Sequence, residues 1–200
     1  MSGIIAQNAG RHTGLVKAAS AGGEWTLIQT LTSDGSDDDL SFTSGLDSTY
    51  DEYCFIFTNL HAETNDAIFG MNLSIDGGSN YNVTKTSSFF KSYNKEDGST
   101  NGVGYDGGYD LAQVTTYQKL TLTNKNNADD SWSGWMFLYA PASTSSVKHW
   151  ISRISAPYDT SAADCLSAGY GNTASAVDAI TFLMSSGEIQ AGSISLYGIG

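Results

Sequence analysis

Hydrophobic and polar residues alternate along short runs through most of the chain, and Gly, Ser, Asn or Asp residues separate the runs. A period of two places successive side chains on opposite faces of a β-strand, whereas a helix repeats every 3.6 residues. The pattern therefore predicts an all-β protein of roughly ten to twelve short strands, arranged as an antiparallel, jelly-roll-like β-sandwich. The predicted strands cover residues 25–31, 40–42, 50–60, 68–75, 83–93, 118–123, 132–140, 147–156 and 166–170, followed by a terminal pair.

The run at residues 50–60 predicts a central strand that is covered on both faces. Tyr53, Phe55 and Phe57 share one face, while Cys54 and Ile56 lie on the other, so neither face is polar. The run at residues 68–75 places one apolar set on a single face: Phe69, Met71, Leu73 and Ile75.

Tryptophan residues lie within the predicted strands rather than in the turns. In the run at residues 132–140, Ser133, Trp135, Phe137 and Tyr139 alternate with Trp132, Met136 and Leu138. We assign Trp132, Trp135 and Trp150 to the core or to a subunit interface, with a ligand-binding platform as the alternative.

The last stretch, residues 176–200, predicts a β-hairpin. Two alternating runs flank the sequence Ser185-Ser186-Gly187-Glu188, which suits a four-residue connection. One face of this hairpin is predicted to be core: Ile180, Phe182, Met184, Ile194 and Leu196. The opposite face would be exposed in a monomer, and we predict that it contacts other subunits through Leu183, Tyr197 and Ile199.

Residues 1–23 differ from the rest of the chain. They contain Arg11 and Lys17 but no acidic residue, and all 21 Asp and Glu residues follow from Glu24 onward. We predict an extended docking arm at residues 1–23 and a β-sandwich domain at residues 24–200, with a disordered leader as the alternative for the arm. The arm would lie along another protein chain and contact it through Ile4, Ile5, Arg11, Leu15, Val16 and Lys17.

The charge of the chain excludes several classes of partner. Only nine of the 200 residues are Lys or Arg, and the net charge is -12. Nucleic-acid binding needs clustered basic residues, so we expect no nucleic-acid partner. We also expect no membrane insertion and no secretion signal, because the chain lacks a long apolar run and a charged, then apolar, start. Cys54 and Cys165, the only cysteines, are interpreted as buried free thiols.

No catalytic constellation is recognisable in the sequence. The histidines lie in unrelated contexts without metal-ligand spacing: His12, His61 and His149. Residues 102–107 match a dinucleotide-binding glycine pattern, but no strand precedes them and no helix follows. We therefore predict a non-enzymatic protein with no catalytic residue, no cofactor and no metal.

Two polar stretches remain open to a functional reading. An acidic cluster, Asp34 with residues 37–39, is read as a solvated turn, with a surface calcium ion as the alternative. The turn-rich residues 94–117 could stack on a sugar or anchor a protein contact, or they could form a surface excursion packed by its own tyrosines. The candidate recognition residues in this stretch are Asp97, Tyr105, Asp106, Tyr109, Asp110 and Tyr117.

Five segments follow one another in a characteristic order: NAGRHTGLVKAA, EWTLIQTLT, LSFTSGLDSTYDEYCFIF, DGGSNYN and AVDAITFLMSSGEIQAGSISLYGIG. Together they resemble a family of structural proteins of tailed bacteriophages, especially marine ones, that are described as tail-fibre-like or head-surface proteins. The resemblance implies a β-sandwich module that is usually oligomeric, docked by an N-terminal segment and exposed on the virion. It supplies no catalytic residues.

These observations lead to one main hypothesis and two alternatives. The main hypothesis is a virion structural protein that docks onto other virion proteins by its arm and is displayed as a tail-fibre-like appendage for host attachment. We expect a homo-oligomer, with a trimer favoured, assembled in the bacterial host cytoplasm and located on the virion surface, where it would contact a host glycan or protein. The alternatives are a capsid decoration or cement protein on the head surface, and a carbohydrate-binding module or glycan depolymerase that uses residues 94–117.

Overall fold

The computed structural model describes residues 23–200, and every regular element in this range is a β-strand. The strands are β1 (Trp25–Thr32), β2 (Asp39–Phe42), β3 (Glu52–Ala62), β4 (Ala67–Ser74), β5 (Lys85–Lys95), β6 (Asn101–Tyr105), β7 (Ala112–Val114), β8 (Gln118–Asn124), β9 (Trp132–Tyr139), β10 (Lys148–Tyr158), β11 (Ser161–Gly171), β12 (Ala179–Met184) and β13 (Ile189–Ile199). No helix within residues 23–200 is long and apolar enough to cross a membrane.

The strands form two antiparallel sheets that pack face to face. The nine-stranded sheet has the order β1-β13-β3-β9-β10-β11-β5-β6, with β7 also paired to β5, and the four-stranded sheet has the order β2-β12-β4-β8. Four pairs are nested: β1 with β13, β2 with β12, β3 with β9 and β4 with β8. A long two-stranded ribbon rolled onto itself produces this nesting, which is the jelly-roll topology. The predicted β-sandwich is confirmed, and two insertions, β5–β7 and β10–β11, widen its larger sheet.

The core lies between the two sheets and is centred on aromatic side chains. Phe182 of β12 enters between Phe55 and Phe57 of β3, with ring centroids 5.1 and 5.2 Å away. Because β3 and β12 belong to opposite sheets, these contacts hold the two layers together. A smaller cluster lies beneath the inserted strands and consists of Phe89, Leu122, Ala163 and Cys165.

The prediction of a terminal hairpin is wrong, although the predicted core residues of its two strands are correct. β12 belongs to the four-stranded sheet and β13 to the nine-stranded sheet, so residues 185–188 cross from one sheet to the other. Alternation shows only which face of a strand is apolar, and both strands turn that face toward the interior from opposite sides. The predicted core residues are all buried: Ile180, Phe182, Met184, Ile194 and Leu196.

Two further expectations differ from the structure. Ile75 is 42% exposed rather than buried, because β4 ends at Ser74, where the chain turns. Residues 94–117 are not one long loop, since they contain the edge strands β6 and β7. β6 has the sequence NGVGY, in which glycines alternate with other residues and conceal the usual strand pattern.

The described part of the chain begins beside its last residue, where the backbone amide of Gly200 donates to the carbonyl oxygen of Glu24 at 3.3 Å. The six predicted docking-arm residues lie outside the described range, so the arm stays a prediction. They are Ile4, Ile5, Arg11, Leu15, Val16 and Lys17.

Candidate functional site

The outer face of the nine-stranded sheet carries a broad set of apolar side chains. One row across five neighbouring strands contains, in order, Leu27, Tyr197, Cys54, Phe137 and Ile151. We use the name apolar band for ten outward apolar residues of this sheet: Trp25, Leu27, Phe90, Tyr105, Phe137, Tyr139, Ile151, Leu166, Tyr197 and Ile199. Their outward direction follows from the period of two along each strand, because the alternate residues fill the core.

Several aromatic rings of the apolar band contact one another. The ring of Trp25 lies 6.0 Å from Phe137 and 5.8 Å from Tyr197, and Phe137 is also 6.2 Å from Tyr139. Trp25 is nevertheless 46% exposed and Leu27 54% exposed. A large exposed apolar surface of this kind is typical of an interaction site.

The two cysteines are buried and free, as predicted. Cys54 points outward but lies in the row between Tyr197 and Phe137, and it is completely covered. Burial raises the pKa of its thiol to about 12, and burial raises the pKa of the Cys165 thiol to about 11. Neither thiol is therefore ionised near neutral pH, which is unsuitable for a nucleophile.

Next to the apolar band, the same outer face has a polar region in which most side chains are short. One row across β9, β10, β11 and β5 consists, in order, of Ser133, Ser155, Asp164 and Ser92. The adjacent row begins with Trp135 and Arg153, which are longer and stand beside it. The result is three adjoining depressions of about 440, 300 and 400 Å³. We call this region the trough and define it by Ser92, Ser133, Trp135, Arg153, Ser155 and Asp164.

An ion pair crosses the trough. The Arg153 guanidinium donates from Nε to both carboxylate oxygens of Asp164 at 3.0 and 3.2 Å, and from Nη2 to one of them at 2.8 Å. The hydrogen bonds to Asp164 raise the pKa of Arg153. Both side chains remain partly exposed, so their unused donors and lone pairs face the solvent.

The structure places two of the six predicted recognition residues, Tyr105 and Asp110, in direct contact. Tyr105 is exposed in the apolar band, and its hydroxyl donates to the carboxylate of Asp110. Asp106 accepts from Lys91 at 2.6 Å, and this hydrogen bond lowers the pKa of Asp106. Asp97 accepts the backbone N–H of Ser99 at 2.8 Å in the turn between β5 and β6.

The other two tyrosines of that stretch are packed against the body of the protein. Tyr109 stacks on Phe89 with ring centroids 5.0 Å apart, and the Lys119 amine lies 4.8 Å from the Tyr109 ring centre. Tyr117 lies against Gly70, where an added Cβ would come within 2.5 Å of the Tyr117 ring. These contacts give both rings a structural role, while the recognition hypothesis for the whole group stays a prediction.

The predicted oligomer face is divided between the two sides of the sandwich. Tyr197 and Ile199 lie in β13, within the apolar band, whereas Leu183 lies in β12 on the outer face of the four-stranded sheet. They therefore cannot form one continuous surface on a single subunit.

The acidic cluster is organised by local hydrogen bonds. Asp37 accepts the backbone N–H of Asp34 at 3.0 Å, and Asp34 accepts from the Ser36 hydroxyl at 2.7 Å. Across residues 23–200, no group of three or more His, Cys, Asp or Glu residues is placed to hold a metal ion.

Two buried lysines were not anticipated from the sequence. Lys85 and Lys148 flank Gly171 in one row of the large sheet, and both are completely buried. Each lysine is in phase with the inward-facing residues of its strand. Lys85, for example, lies four positions before the core residue Phe89, so both side chains point to the same side of β5. This in-phase position was the sequence signal for their burial. The signal is weak, because lysine is rarely buried in proteins.

Comparison with protein-family models gave no match to this chain, and comparison with curated protein sequences gave none either.

Proposed function

We propose that this chain is a non-enzymatic structural protein of a bacteriophage particle, displayed on the virion surface as a tail-fibre-like appendage for host attachment. The sequence resemblance described above motivates the phage origin, and the jelly-roll body is a compact module suited to repeated assembly. Assembly would take place in the host cytoplasm, where the buried free thiols stay reduced.

The observation that carries the proposal is the apolar band. Six of its ten members are at least 39% exposed, and a broad exposed apolar surface is typical of a protein interface. The ion pair Arg153–Asp164 is neutral overall, and the Glu52 carboxylate, beside Tyr139 and Ile199, leaves the strand residues of this face with a small negative charge in a chain of net charge -12. Copies of the chain can therefore meet on this face without strong repulsion, and we infer a homo-oligomer, with a trimer favoured.

Light scattering on the purified full-length chain tests the oligomer. We expect an oligomer for the natural chain and a shift toward monomer for Trp25→Ser with Phe137→Ser, because these changes remove two ordered aromatic rings from the apolar band. The matched control is Leu183→Ser on the opposite sheet. A monomeric natural chain, or dissociation caused only by the control, contradicts the assignment.

Immunogold labelling of virions of the encoding phage tests the location. Label on the tail supports the proposed appendage, whereas label on the head lattice supports the decoration protein instead. Particles without label contradict a virion role altogether.

A further inference from the structure

We propose that the trough binds a short, neutral, linear oligosaccharide. The site meets residues 94–117 only at Asn94, Lys95 and Glu96. It is built by three consecutive strands, β9, β10 and β11, together with the more distant strand β5. The inference rests on the proposed attachment role only for its biological purpose, since binding by the isolated protein does not depend on where the protein is located.

The shape of the trough suits an extended ligand. Short side chains in the row Ser133, Ser155, Asp164 and Ser92 leave the backbone surface low across four strands. Three strand spacings of about 4.8 Å give this row a length of about 14 Å, which a short sugar chain spans. The adjoining depressions of about 440, 300 and 400 Å³ fall within the usual range for ligand sites.

The trough offers a contact for the apolar C–H face of a sugar ring and hydrogen-bonding partners for its hydroxyl groups. Trp135 supplies an aromatic wall on which the apolar C–H face of a pyranose can stack, and its ring is held by an edge contact with Phe137 at 5.2 Å. The Arg153–Asp164 pair supplies donors and acceptors side by side, because the guanidinium uses only Nε and Nη2 for Asp164. A pair of neighbouring hydroxyls can donate to the carboxylate and accept from the guanidinium.

The charge around the trough favours a neutral sugar over an acidic one. Asp164 neutralises Arg153, while Lys95 and Glu96 contribute one charge of each sign to the depression of about 400 Å³, and the chain has a net charge of -12. The trough lining therefore has no net positive charge, and a polyuronate or sulfated chain would meet repulsion from the acidic protein. The short hydroxyl residues also lack the apolar anchors that a protein partner would need.

An array of neutral and acidic linear oligosaccharides, probed with the purified full-length chain, tests the inference. We expect binding to neutral members, and titration calorimetry with the best member should show a loss of affinity of about tenfold or more for Trp135→Ala, which removes the stacking wall. Ser155→Tyr, which fills the middle of the trough, should abolish binding. Ile75→Ala, at an exposed position just after β4 of the opposite sheet, should bind as the natural chain does.

Several outcomes would overturn the inference. These are an array without any neutral hit, a preference for acidic members, or Ser155→Tyr binding as tightly as the natural chain. Circular dichroism must show that each variant is folded, and Asp164→Asn, which keeps the shape but removes the charge, provides a second variant that should weaken binding. Sugar binding by the purified chain, without immunogold label on virions, would support the trough as a sugar-binding site and contradict the proposed role in the phage particle.

Discussion

At the residue scale, the least expected side chain is Lys85, which lies completely buried at the start of β5. Its amine donates to Asn72 Oδ1, to the Val83 carbonyl at 2.8 Å and to the Thr115 carbonyl at 3.4 Å. These three partners are neutral oxygens rather than carboxylates, so they satisfy the hydrogen bonds of the amine without balancing its charge. Burial lowers the pKa of Lys85 to about 8.

This pKa predicts a pH-dependent stability. An unfolded lysine keeps its proton up to about pH 10.4, so between pH 8 and that value the unfolded chain binds more protons than the folded chain. The free energy of unfolding therefore gains a contribution from Lys85 that rises with pH across this window, by up to about 3 kcal/mol. Below pH 8 the penalty for charging the buried amine is fully present.

Denaturant unfolding of the natural chain and of Lys85→Met at about pH 7.5 and about pH 10 measures this effect. We expect the stability of the natural chain, relative to the variant, to increase at the higher pH. Ile75→Ala, which removes an exposed side chain without a titratable group, is the control, and its pH profile should parallel that of the natural chain. Parallel pH profiles for the natural chain and Lys85→Met would contradict the assignment.

At the element scale, a close approach between backbones joins the inserted strand β10 to β9. Gly134 of β9 faces Ile154 of β10, and a Cβ added at Gly134 would come within 2.7 Å of the Ile154 Cα and even closer to the Arg153 carbonyl oxygen. A side chain at this position would push β10 away from β9. Because β10 is paired to β11 and β11 to β5, a displacement of β10 would also disturb these strands of the large sheet.

Gly134→Ala is therefore expected to destabilise the protein by about 1–3 kcal/mol, the usual cost of overpacking. The matched control is Gly104→Ala in the edge strand β6, where an added Cβ meets nothing within 4 Å. Thermal or denaturant unfolding should show a clear loss for the first variant and little change for the second. Equal stability of the two variants would show that β9 and β10 separate without cost.

At the scale of the whole molecule, residues 23–200 contain a complete two-sheet core. The first strand, β1, pairs with the last strand, β13, from Trp25 to Thr32. The two ends of the jelly-roll ribbon therefore both lie within this range. The apolar band and the trough also lie entirely within residues 23–200. We therefore expect the sandwich to fold without the residues that precede Gly23.

Deletion of residues 1–22 should leave a folded sandwich with an unfolding midpoint close to that of the full chain. Circular dichroism with denaturant titration measures this, and the same truncated chain, supplied during infection, should fail to join particles if the predicted arm docks there. An unfolded truncated chain would contradict the division into arm and sandwich. Normal incorporation into particles would contradict the arm alone.

The sequence by itself determined the fold class and most of the core. Alternation identified the inward residues of β3, β9 and β12, because burying one face of a strand is a local demand that the order of side chains must meet. It also identified a second apolar face, with Tyr197 and Ile199 as members. It did not identify the trough, since that site combines only one or two residues from each of four strands.

The tertiary structure alone decided which strands are neighbours. β12 and β13 are consecutive and similar in pattern, yet they lie in opposite sheets, because a four-residue connection can either close a hairpin or cross the sandwich. The burial of Lys85 was decided in the same way, since its oxygen partners come from β4 and from two separate loops. Side-chain period is a local property, whereas strand pairing and buried polar contacts depend on segments distant in the chain, so only the folded molecule specifies them.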